Sequence, residues 1–166
     1  MWLLLLALIC LFGFMVFTGA PYVPTKPKEA KKALTVLYPL GPDDTIIDIG
    51  SGDGLVLRAA SRLGARAVGY EINPVLALLS KLWSWRDKNV TVYCANFWSA
   101  VFTKDVTVVY TFGDARDIVR MYKKVQDESS RLKRPIAFIS YGFTVPGYPP
   151  AKTVGAHHLY QVKPLH

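Results

Sequence analysis

Cysteine and histidine are scarce in this chain, and their scarcity limits the chemistry available to it. Two cysteines occur in 166 residues, Cys10 within an opening apolar run and Cys94 within a β-branched stretch. Neither a disulfide framework nor a zinc cluster can be built from them, and a reducing compartment fits best. The three histidines, His157, His158 and His166, crowd the C-terminus without HExxH or similar spacing, so no metal site is expected. Internal repeats, low-complexity tracts and a second domain boundary are also missing. Acidic residues are the minority: 12 Asp and Glu against 20 Lys and Arg give a formal charge of +8. That balance favours anionic partners without choosing among acidic proteins, nucleic acid and phospholipid. The densest basic stretch, with Arg120, Lys123, Lys124, Arg131, Lys133 and Arg134, lacks the interleaved aromatics that stack single strands. It reads as a solvated helix face, and no nucleic-acid partner is expected. What is abundant is apolar: 51% hydrophobic residues suffice for one domain with a core.

Trp2 to Phe17 carry no charged side chain. As a helix they cover about 25 Å, and Thr18 to Tyr22 extend them towards the roughly 30 Å of a bilayer core, with Trp2 and Tyr22 as interfacial aromatics. Residues 1 to 20 are therefore expected to be a transmembrane anchor, with residues 21 to 166 as one domain. A cleaved signal peptide would want a positive n-region, and Pro21 directly after Gly19 and Ala20 is a poor cleavage context. Lys26, Lys28, Lys31 and Lys32 follow the run, so the positive-inside tendency places the domain on the cytoplasmic side of a single-pass protein. The same lysines suit anionic headgroups or ordinary solubilisation of a first helix.

From Lys28, the positions Ala30, Ala33, Leu34 and Leu37 follow helical spacing until Pro39, Gly41 and Pro42 break it. TIIDIG then reads as a buried strand, GLVLRAASRLG as a helix and ARAVGYE as a second strand. PVLALLSKLWSW predicts a helix, NVTVYCA and DVTVVYTF strands, DARDIVRMYKKVQDESSRL a helix, and PIAFISYGF and HHLYQV two closing strands. The alternation implies an α/β, doubly wound, Rossmann-like sheet, and the two late strands imply an antiparallel edge hairpin. In such sheets ligands sit beyond the C-terminal strand ends.

Three strand ends carry a constellation. DIGSGDG, residues 48 to 54, packs three glycines between a strand and a helix, where backbone can approach a ligand. Leu55 occupies the third glycine position of the dinucleotide fingerprint, which weakens NAD or FAD. Glu71 ends the second strand, suitably placed to accept from ribose hydroxyls. Asn96 and Phe97 follow the third strand, one to bond an adenine edge and the other to pack on its face. Each alone is an ordinary turn, surface carboxylate or core ring; in order, they point to a bound adenosine.

With these motifs the sequence resembles the class I, seven-strand S-adenosylmethionine-dependent methyltransferases. PYVPT, DIGSGDG, GYEIN, ANFW, ISYGFTVPGY and HHLYQV make it similar to the small mitochondrial and crenarchaeal protein lysine methyltransferases, across nearly the whole domain. The resemblance implies S-adenosyl-L-methionine as cofactor, with Asp48, Gly50, Ser51 and Gly52 along its methionine and ribose part. It places Glu71 on the ribose, and Ile72, Asn96 and Phe97 around the adenine. Tyr22 and Thr25 fall in the leading segment that borders cofactor and acceptor. Leu55 stands where a basic residue often follows the first motif, and Gly142 where a relative has a carboxylate near the acceptor.

The implied partner is a protein presenting a lysine at or in the membrane. Tyr22, Thr25, Asn96 and Tyr141 are candidates for positioning the amine, each equally readable as structural. YTFGDA lacks the NPPY-type tetrapeptide used on planar nitrogens. A small-molecule or lipid acceptor, and a binding protein without turnover, are the rival readings.

Overall fold

A computed structural model describes Trp2, residues 25–113 and residues 115–165. The expected anchor, apart from Trp2, and Tyr22 lie outside the described residues. Among the described residues no helix is long and apolar enough to cross a membrane.

Seven strands form one sheet: β1 (Thr45–Ile49), β2 (Arg66–Glu71), β3 (Val90–Cys94), β4 (Val108–Thr111), β5 (Ile136–Tyr141), β6 (Lys152–Val154) and β7 (His157–Val162). Their spatial order is β3-β2-β1-β4-β5-β7-β6, so the order reverses at β1 and β4. β1 lies between β2 and β4, parallel to both, and all five of its residues are buried. A strand covered on both faces has no use for polar alternation, hence TIIDI.

The helices cover both faces. Helices α1 (Pro27–Lys32), α2 (Leu55–Ser61) and α3 (Pro74–Trp83) lie on one face, where Ala30, Leu34, Leu57, Ala60 and Ala77 join Ile46, Val108 and Ile139 in a single core. Helix α4 (Ile118–Leu132) covers the other face, packing Ile118, Tyr122 and Val125 with Phe97, Phe102, Val109 and Phe138. Glu128 on α4 accepts from Lys124 Nζ at 2.7 Å, Arg131 Nε at 2.8 Å and the Phe102 amide at 3.3 Å, fixing the β3–β4 connection to the helix.

The structure differs from expectation at three places. The first helix is not α-helical throughout: Ala33–Leu37 is a π-turn, closed by the Tyr38 amide on the Ala33 carbonyl at 3.0 Å, which keeps Ala33, Leu34 and Leu37 inward. Helix α4 begins at Ile118 rather than at residue 114. The edge hairpin contains a strand the sequence reads as loop: β6 pairs antiparallel with β7, and β7 pairs antiparallel with β5. Lys152–Val154 carries no buried residue, so only its pairing with β7 makes it a strand.

Candidate active site

At the C-terminal end of β1 the chain turns sharply through Gly50, Ser51 and Gly52 and is pinned to its neighbour. The Gly50 and Ser51 amides donate to the Tyr70 carbonyl at 2.9 and 3.1 Å. The Gly52 amide donates to Glu71 Oε2 at 2.8 Å, and the Asn73 amide to Oε1 at 2.7 Å. Glu71 is thus buried and oriented, and each oxygen retains a lone pair for a further donor. Asn73 in turn caps α3 through Oδ1, accepting from the Val75 amide at 2.9 Å.

The glycines of the turn do different work. Gly50 sits at φ +70°, and a Cβ there would meet nothing within 4 Å, so its exposed side is open for a ligand. Gly54, at φ +81°, instead lies against Ser80 of α3, where any Cβ would collide. Sequence spacing alone assigns both to ligand approach; packing separates them. Ser51 is buried with its hydroxyl over Gly69, and that hydroxyl has no hydrogen-bond partner among the described residues.

Asp48 lies near the end of β1 almost fully buried, at 3% exposure. Burial raises its pKa well above the usual carboxylate range, and the negative charges of Glu71 and Asp53 add to the rise. Asp53 is tied locally, accepting from the Leu55 amide at 3.0 Å with Arg58 at 4.0 Å. A buried acidic group whose field comes from further carboxylates suits a cationic ligand.

Ile72 projects beyond β2 with 52% of its surface exposed, an apolar lip beside Glu71. Asn96 is exposed, and its Oδ1 accepts from the Trp98 amide at 3.0 Å, capping the 3-10 turn Phe97–Ser99. Phe97 is 5% exposed, with Tyr70, Trp98 and Phe102 around its ring, so the face expected for adenine is committed to the core.

The second half of the site adjoins the first, because Asp48 is in register with Tyr110 of β4. Tyr110 Oη lies 3.2 Å from His157 Nε2, and the Thr25 side chain neighbours the same phenol. Burial and then the charge of Asp48 push the Tyr110 pKa up, so the phenol keeps its proton. Burial lowers the pKa of His157, with Glu29 opposing, so the imidazole is neutral near pH 7. The Tyr110–His157 contact is thus a hydrogen bond between two neutral groups, and Nδ1 lies 3.9 Å from Glu29 Oε2 with no hydrogen-bond partner among the described residues. Tyr141 stacks on His157 at 4.3 Å between centroids and meets Phe112 at 4.7 Å.

Thr25 and Tyr141 both neighbour Tyr110, and with them stand His157 and Glu29, which the sequence does not single out. His157 is one of three clustered histidines, and its only sequence signal is its place at the start of the closing strand HHLYQV. Asn96 lies on the cofactor side, after β3, not with this group.

A seven-strand sheet reversing at β1 and β4, with a glycine turn after β1 and a buried acid ending β2, defines a class I methyltransferase domain, whose cofactor is S-adenosylmethionine. Residues 48–152 match the ANTKMT methyltransferase domain, and the chain belongs to that family. Among its relatives, the lysine N-methyltransferase of the ATP synthase c-subunit from Xenopus laevis is 35% identical over 120 residues, covering 70% of this chain and 52% of that protein. Adenine nucleotide translocase lysine N-methyltransferase of Mus musculus is 31% identical over 139 residues, covering 81% of this chain and 58% of that protein. The chain thus spans little more than half the length of these curated relatives. In fold it is similar to an RNA methyltransferase from Salinibacter ruber, solved with S-adenosyl-L-homocysteine, at TM-score 0.72 and 24% identity over 85% of this chain and 94% of that one.

Proposed function

We propose that this protein transfers a methyl group to a lysine side chain of a membrane-associated protein, with residues 1 to 20 as its bilayer anchor and the domain on the cytoplasmic side. The observation that carries the reading is the junction of two unlike groups of residues at Asp48 and Tyr110: an acidic, glycine-lined turn and a neutral aromatic cluster. Family membership supports it, and the relatives act on the ATP synthase c-subunit and on the adenine nucleotide translocase.

The residues fit the cofactor. Glu71 has acceptor capacity for ribose hydroxyls, the open side of Gly50 admits close approach, and Asp48 favours the cationic end. S-adenosylmethionine, when bound, supplies a methyl group already activated on a sulfonium. The chain must then align an amine and exclude water. A lysine entering beside Tyr110, Phe112 and Tyr141 leaves water for aromatic surroundings, which lowers its pKa and favours the neutral nucleophile. His157 holds the Tyr110 hydroxyl in place through the 3.2 Å contact at Nε2, with Thr25 beside it. The same ring faces suit a methylated ammonium as product.

Incubation of the full chain with methyl-labelled donor and a membrane extract tests the reading. Label recovered as methyl-lysine in a protein band is the expected result. Label in lipid would replace the acceptor class, and cofactor binding with no label in any fraction would make the chain a binding protein.

A further inference from the structure

Helix α3 is built inside out. The residues it turns to the sheet are small, Ala77 and Ser80, with Ser84 at its C-terminus, all at 6% exposure or less. The residues it turns to solvent are large and apolar: Val75 at 45% exposure, Leu78 at 57%, Leu82 at 55% and, beyond the last turn, Trp85 at 72%. Their spacing of three, four and three places all four on one stripe. Trp83 is 56% exposed beside them. A soluble domain gains nothing from an outward stripe of this size.

The charges around the stripe select its occupant. Lys81, Arg86 and Lys88 are all exposed. From Pro74 to Asn89 the only acidic residue is Asp87, and it is occupied inward, accepting from Ser61 Oγ at 2.8 Å and the Asn89 amide at 3.0 Å. Guanidinium groups lie over both indoles, Arg58 at 5.3 Å from Trp83 and Arg86 at 4.4 Å from Trp85. Tryptophan and leucine beside exposed basic side chains is the composition of a helix lying in a headgroup layer, its apolar face in the acyl boundary and its cations at phosphate level. A second copy of the chain fits worse, since a two-fold contact along this stripe would bring Lys81, Arg86 and Lys88 of both copies together.

We propose that α3 and the Trp83–Lys88 segment dock the domain on an anionic bilayer surface. The contact is separate from the active site and from residues 1 to 20, and it needs neither the proposed acceptor nor turnover. It would fix which side of the domain faces the membrane, a constraint a tether alone does not supply.

The test uses the full chain carrying Trp2→Phe and Trp98→Phe, so that Trp83 and Trp85 alone report. It is mixed with vesicles of phosphatidylcholine and phosphatidylserine in equal amounts, or of phosphatidylcholine alone, each with brominated acyl chains. The indoles should be quenched strongly in the mixed vesicles and weakly in the neutral ones. Lys81→Glu, Arg86→Glu and Lys88→Glu, each a change of two charge units, should each weaken the docking by about thirtyfold, and Leu78→Ser with Leu82→Ser should abolish the quenching. S-adenosylhomocysteine binding should stay unchanged as the check on folding. Unquenched indoles in protein that co-sediments with the mixed vesicles would overturn the proposal. So would quenching indifferent to charge reversal, or a lipid-free dimer burying Trp83 and Trp85 that vesicles do not dissociate.

Discussion

The β1–β2 end of the sheet and the β4–β7 end meet at one pair of residues, Asp48 and Tyr110, yet they are made differently. The first is compact in sequence: Asp48, the glycine turn, Glu71 and Asn73 span 26 positions and are wired by backbone amides. The second draws Thr25, Glu29, Tyr110, Tyr141 and His157 from separate parts of the chain and relies on side-chain rings and one phenol–imidazole hydrogen bond. Backbone donors hold a site rigidly for a ligand that never varies, as a cofactor does. A cluster of rings from several elements adapts more readily, as suits a variable acceptor.

Mutations that separate the halves test this contrast. The largest effect belongs to Glu71→Ala, which removes the ribose acceptor and orphans the Gly52 and Asn73 amides. Charge-assisted hydrogen bonds of this kind are worth about 1.5 to 3 kcal/mol, so S-adenosylhomocysteine binding by calorimetry should weaken about 10- to 150-fold. Unchanged affinity would remove Glu71 from the cofactor site.

Asp48→Asn should also weaken cofactor binding, and it should stabilise the cofactor-free fold. Because burial raises the Asp48 pKa, the unfolded chain releases its proton above about 3.8 while the fold retains it, so stability is lost as pH rises from there. The asparagine variant should melt a few degrees higher than wild type at pH 7 without cofactor, and this advantage should shrink when S-adenosylhomocysteine is added.

His157→Gln acts on the other half. Turnover should fall about two- to tenfold, the worth of one hydrogen bond, while cofactor affinity measured by calorimetry stays the same. Burial also depresses the His157 pKa, so below about 6.5 the unfolded chain takes a proton the fold refuses, and stability falls as pH drops. Thermal melts between pH 7 and 5 should lose part of that slope in the glutamine variant. An equal loss of cofactor affinity would show that the halves are not separable.

Asn96→Ala should be mildest, costing about 0.5 kcal/mol through the lost cap. A melting curve and a calorimetric titration would place it on the cofactor side if affinity falls while turnover at saturating cofactor is unchanged.

The same contrast governs what is legible in the sequence. β1, β4 and β5 lie within apolar runs that mark them directly, because strands buried on both faces admit little else. DIGSGDG and GYEIN reveal the cofactor end because a tight turn and a capping asparagine impose residue types at fixed offsets. Lys152–Val154 escapes notice because its strand state depends on β7 alone, and the burial of Phe97 because a ring in a short turn can point either way.

The sequence by itself determined the order of elements, the glycine turn, the ribose acid and the family, since local periodicity and backbone chemistry act over a few residues. Only tertiary structure decided that Gly54 serves helix packing while Gly50 faces open space, that His157 meets Tyr110, and that α3 turns Leu78, Leu82 and Trp83 outward. Those facts depend on which surfaces meet across distant parts of the chain. Apolar spacing along a helix marks a stripe, but not whether the sheet or the surroundings receive it.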